Sequence, residues 1–123
     1  MIQLFHEKRR WRVEPAKSVD DLADKLTEHT WRCCQGFELL GYLFLNDATS
    51  EDGAQEYGIV KKDGDRFIQI ESVTFDWCSP ERAIQIIEDT VHGEYDNGVM
   101  HEELNLSRKL DTPEAHGTCR FCA

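Results

Sequence analysis

Apolar and polar positions along the chain follow two periods, and the switches between them outline its elements. From Val19 to His29 the apolar residues Val19, Leu22, Ala23 and Leu26 recur at three and four positions, while Asp20, Asp24, Lys25 and Glu28 fall on the opposite side. That period predicts an amphipathic helix. Ser18 is a good N-cap, and Asp21 at the third helical position suggests a capping box, with Asp20 also suiting the positive end of the helix dipole. A second helix is predicted after Ser79 as N-cap, with Pro80 in the first helical position. Its apolar stripe is Ala83, Ile84, Ile87 and Val91, and Gly93 is a natural terminator.

Extended segments fill the space between the helices. Gly36 to Asp47 is apolar on both faces, with Phe37, Leu39, Leu43 and Leu45 on one and Leu40, Tyr42 and Phe44 on the other. Gly36, Gly41 and the aromatics favour a strand in the sheet interior over a buried helix, followed by a polar loop from Asn46 to Gly53. Glu56 to Lys61 and Arg66 to Trp77 flank Lys62-Asp63-Gly64-Asp65, and an Asp-Gly between extended runs predicts an antiparallel hairpin. Arg10 to Glu14, with Trp11 and Val13 on one face, adds an edge strand stopped by Pro15.

The order β-α-β-β-β-α predicts a two-layer α+β domain with a three- to four-stranded, mainly antiparallel sheet and both amphipathic helices on one sheet face. The other face, carrying some of Tyr42, Phe44, Ile68 and Ile70, would then need a partner or the C-terminal segment to cover it. Periodicity fades after Gly93, so the expected division is an α+β core over residues 1–95 and an irregular acidic extension over residues 96–123.

Composition adjusts this picture in three ways. A chain of 123 residues is long enough for one self-sufficient core. No run reaches the roughly 18 to 20 apolar residues of a membrane span, and the first residues lack a basic region followed by an apolar one, so no membrane association and no signal peptide are expected. The formal charge of −10 is unevenly distributed: residues 1–17 carry net +3, which leaves −13 for the remainder. An acidic body makes direct nucleic-acid binding an unfavourable expectation, because that affinity comes from clustered Lys and Arg neutralising phosphates. Arg9, Arg10 and Arg12 around Trp11 are the exception, and the simplest reading of them is a solvated face.

Candidate chemistry concentrates at the C-terminal His116-Gly117-Thr118-Cys119-Arg120-Phe121-Cys122. Cys119 and Cys122 have the spacing that holds one ion from two sides, and His116 offers a third donor, so His116, Cys119 and Cys122 are the candidate ligands of a structural zinc. A fourth ligand would have to come from Cys33, Cys34, Cys78 or a histidine such as His101. The same Cys-x-x-Cys could instead carry thiol-redox chemistry, or have no special role. Five cysteines without an export signal or a secreted-type spacing point to reduced thiols and a cytoplasmic location. No nucleophile elbow and no phosphate-cradling glycine loop is present, and the paired carboxylates Glu51-Asp52 and Glu102-Glu103 lie in polar surroundings. The sequence therefore names no catalytic or cofactor-binding residue and leans away from an enzyme. It favours a small acidic interaction or regulatory protein that binds a protein partner through a basic or partly apolar surface of that partner. The alternative is a thiol-redox or metal-handling protein using Cys119 and Cys122.

Overall fold

A computed structural model of the chain describes residues 2–6, 9–27, 35–47, 56–64, 66–75, 78–92, 102–104 and 107–110. They form ten elements: β1 (Ile2–His6), β2 (Arg9–Pro15), α1 (Val19–Thr27), β3 (Gln35–Leu39), β4 (Tyr42–Asp47), β5 (Glu56–Asp63), β6 (Arg66–Thr74), α2 (Pro80–Val91), β7 (Glu102–Leu104) and β8 (Ser107–Leu110). The α+β class, the two helices and the mainly antiparallel pairing are as the sequence predicts. The strand count is larger than predicted: one sheet runs in the order β7-β6-β5-β4-β3-β2-β1-β8, with β2 to β6 as its body and three short strands at its ends.

Two differences have local causes. The apolar run Gly36 to Asp47 is two strands rather than one. Leu40 (φ 51°) and Gly41 (φ 84°) both take positive φ and form the two-residue turn of a tight hairpin, pairing Phe37 with Phe44 and Leu39 with Tyr42. The turn resets the alternation, so Phe37, Leu39, Tyr42 and Phe44 share a face while Leu43 and Leu45 take the other. β2 is not an edge strand. It pairs antiparallel with β1 and, across the α1 crossover, parallel with β3, the one parallel pair among the described strands.

The register shows that the sheet rolls up. Laid flat, strands about 4.8 Å apart would hold β7 and β8 about 34 Å from each other. Leu104 pairs with Phe67 at one end of the sheet, and Ser107 pairs with Phe5 at the other. Three peptide units join Leu104 to Ser107, and these reach at most about 11 Å. The two ends therefore meet at the seam of a barrel, with β7 paired to β6 on one side and β8 paired to β1 on the other. A bulge where Ile59 and Val60 face β6 adds twist to the longest hairpin.

Two cores follow. Inside the barrel, Trp11, Val13, Leu43, Leu45, Val60 and Phe67 form a buried cluster that includes no residue of either described helix. Gly36 sits close against its neighbours: a Cβ there would lie 2.8 Å from Leu45 Cδ2 and 3.2 Å from Val13 Cγ2. Outside, both helices cover one face, as predicted, and Leu22, Ala23 and Leu26 of α1 meet Ala83, Ile86 and Ile87 of α2 over Phe37, Phe44, Tyr57, Ile59 and Ile70. Tyr57 and Phe75 pack edge to face there at 5.9 Å. Tyr42, Phe44, Ile68 and Ile70 thus belong with the helices, and the residues expected to need an outside partner are covered from within the molecule. Each large side chain so buried contributes roughly 1.5–3 kcal/mol relative to exposure. Part of the C-terminal region joins this architecture through β7 and β8.

Candidate functional site: the acidic helix layer

The outer surface of the helix layer is set by how each helix begins. In α1 the Ser18 hydroxyl accepts from the Asp21 N–H at 3.1 Å, and the Ser18 carbonyl accepts from the Leu22 N–H at 3.0 Å. Asp21 returns the contact one residue earlier than a capping box would, accepting from the Lys17 N–H at 2.9 Å. That backbone hydrogen bond, with Lys25 at 3.3 Å on the next turn, holds the Asp21 carboxyl below the usual aspartate range. Lys25 Nζ also lies over the Phe37 ring, 5.6 Å from its centroid. In α2 the Ser79 hydroxyl accepts from the Arg82 N–H at 3.2 Å, Pro80 opens the helix, and His92 is the C-cap, donating its N–H to the Glu88 carbonyl.

These starts fix the rotation of each helix. α1 buries Leu22, Ala23 and Leu26 and leaves Asp20 and Asp24 exposed. α2 buries Ala83, Ile86, Ile87 and Thr90, so its stripe is turned slightly from the predicted one, with Ile84 and Val91 only partly covered. Thr90 is accommodated because its hydroxyl donates to the Ile86 carbonyl at 2.8 Å. Glu81, Arg82, Gln85, Glu88 and His92 face outward, and Asp89 accepts from Gln85 at 2.8 Å. Because α1 and α2 pack against each other, their outer faces adjoin. Each carries three carboxylates against a single base, which gives this layer a net negative field.

The barrel offers less chemistry. At one mouth Lys62 Nζ pairs with Glu38 at 2.9 Å, and both remain partly exposed. At the other the Ser72 hydroxyl donates to Glu56. Asn46, expected in a loop, is fully buried in β4, and its carbonyl accepts from the Trp11 indole at 2.7 Å.

The predicted ligands His116, Cys119 and Cys122 lie outside the described residues, as do Cys33, Cys34, His101, Trp31 and Trp77. Cys78 is described: it is partly buried as a free thiol beside the start of α2, against the helix-side core. Among the described residues no three His, Cys, Asp or Glu side chains converge as metal ligands. No described helix is long and apolar enough to cross a membrane. The sequence pattern missed the exposure of Leu40. A twelve-residue apolar run is twice the usual strand length, and with a glycine at its centre it could have been read as a hairpin. No protein-family model, curated protein or solved structure matches this chain.

Proposed function

We propose that this is a small acidic, non-enzymatic interaction protein of the cytoplasm that engages a basic protein partner through its helix layer, with His116, Cys119 and Cys122 as ligands of a structural zinc. The observation that carries the partner reading is the joined outer face of α1 and α2, where Asp20, Asp24, Glu81 and Glu88 are exposed on two helices held rigidly by one core. Rigid carriage matters, because a pre-set charge pattern steers a partner and fixes its orientation without an ordering cost on binding. The filled barrel interior supports the same reading by leaving the outer surface as the working part of the described molecule. The zinc reading rests on the donor set and its spacing alone.

The test is affinity capture from the native cell extract at physiological salt, with wild-type protein beside a variant carrying Asp20→Lys, Asp24→Lys and Glu88→Lys. Wild type should retain a basic protein in fixed stoichiometry, and the folded variant should lose it. Equal retention by both, or no retention by wild type, would overturn the assignment.

A further inference from the structure

The turn between β3 and β4 goes against two rules at one residue. Leu40 is the one large hydrophobic exposed among the described residues, and it holds a positive φ of 51°, where its side chain crowds the following carbonyl. Neither feature helps the turn to form, since Asn or Gly takes that conformation more readily and is at home in water. The turn is nonetheless firmly held. Leu39 and Tyr42 pair on either side of it and are both buried, the Lys62 N–H donates to the Gly41 carbonyl at 3.0 Å, and the Lys62 ammonium reaches Glu38 at 2.9 Å. A Cβ built on Gly41 would meet nothing within 4 Å, so the tip is open on that side. An apolar side chain kept exposed on a strained, preorganised backbone has the form of a binding anchor.

We infer that Leu40 is the apolar anchor of the interface proposed for the helix layer, seated in a leucine-sized apolar pocket beside the basic surface of the protein partner; the inference rests on that reading. Burying one leucine is worth roughly ten- to a hundredfold in affinity, which alone falls short of millimolar binding. The anchor therefore works within a larger contact, and the fold places one beside it. The Ala16 N–H donates to the Glu38 carbonyl at 2.8 Å, so α1 begins at the end of the sheet where the turn lies. Asp20 follows Ala16 and Leu40 follows Glu38 so closely that they lie at most about 27 Å apart. An interface burying about 800 Å² per partner is roughly 32 Å across and holds both. Other occupants fit less well. A tip of two residues meeting its own copy covers far less than the roughly 1,200 Å² that a stable complex buries. One leucine on a chain of net charge −10 is poorly matched to an anionic lipid surface. The two parts divide the work: carboxylates steer the encounter, and the seated leucine slows departure.

The probe is the basic protein that the wild-type chain retains from native extract, purified and passed over the immobilised full chain by surface plasmon resonance at two salt concentrations. Leu40→Asn, which suits the turn and leaves the melting temperature unchanged or higher, should speed dissociation at least about tenfold, or some 1.4 kcal/mol. Its association rate and salt dependence should stay within about twofold of wild type, and Leu40→Met should restore most of the lost residence time. Asp20→Lys with Asp24→Lys should instead slow association and flatten the salt dependence. If Leu40→Asn binds as wild type does while the aspartate variant loses binding, the inference is overturned and the helix-layer reading stands. If the aspartate variant binds unchanged, the helix-layer reading fails and takes the joint interface with it. No retained protein, self-association that Leu40→Asn abolishes, or wild-type retention on phosphatidylserine vesicles that Leu40→Asn abolishes would each overturn the assignment to a protein pocket.

Discussion

The indole N–H of Trp11 on β2 donates to the backbone carbonyl of Asn46 on β4 at 2.7 Å, reaching past β3, which lies between them. In a flat sheet those strands would be about 9.6 Å apart, so the bond belongs to the inward curl. Trp11→Phe keeps an aromatic in the inner core but removes the donor and leaves a gap. Losing one buried hydrogen bond and part of a ring should cost about 2–4 kcal/mol, read as a lower urea midpoint at unchanged slope.

Gly36 reports the same curvature by crowding. Gly36→Ala places a methyl 2.8 Å from Leu45 Cδ2 and 3.2 Å from Val13 Cγ2, below normal contact. The expected loss is about 1–3 kcal/mol. Combining it with Leu45→Ala should recover part of that loss relative to Leu45→Ala alone, a coupling that a double-mutant cycle measures. Additive effects would mean that the two residues do not share the space.

Leu40 is strained and exposed at once. It is 73 % accessible, so burial gives no return for holding a bulky residue at φ 51°. Leu40→Asn creates the Asn-Gly pair that this turn prefers and should stabilise the protein by about 0.5–1 kcal/mol. A higher thermal midpoint with an unchanged circular dichroism spectrum is the expected reading.

Asp21 links stability to pH with a definite sign. Its folded pKa is held below the ordinary value, chiefly by the Lys17 backbone hydrogen bond and then by Lys25. Its contribution is therefore fully present above an ordinary aspartate pKa of about 4, and disappears as pH falls through the lowered folded value. Asp21→Asn should be less stable than wild type near neutrality, and the gap between their melting temperatures should close in acid. A gap that stays constant with pH would show that shape, not charge, supports the helix start.

The C-terminal motif makes a chemical prediction. Protein purified without chelator should contain one zinc per chain, lost in both Cys119→Ser and Cys122→Ser, with thiol titration rising when zinc is removed. A metal-free wild type with a reversible Cys119 to Cys122 disulfide would favour the thiol-redox alternative.

Much of the fold was legible from local signals. Ser18, Ser79 and Pro80 marked the helix starts because capping depends on residues within one turn. The Asp63-Gly64 turn was readable for the same reason. The Leu40-Gly41 hairpin was obscured because the central strands are apolar on both faces, and continuous hydrophobicity erases the alternation that shows where a strand reverses.

What the sequence determined by itself is the α+β class, the two amphipathic helices and their place on one sheet face, the 63–66 hairpin and the acidity of the body. Each is encoded by neighbours within a few residues, through caps, turns and periodicity. The tertiary structure alone decided that the sheet closes on itself, that Trp11 lies inside while Arg12 lies outside, and that Lys109 falls in one row with Gln3 and Arg12. Those facts depend on pairing across a hundred residues, where the chain meets itself because burying both faces of one sheet requires it to roll up. No local pattern carries that partnership.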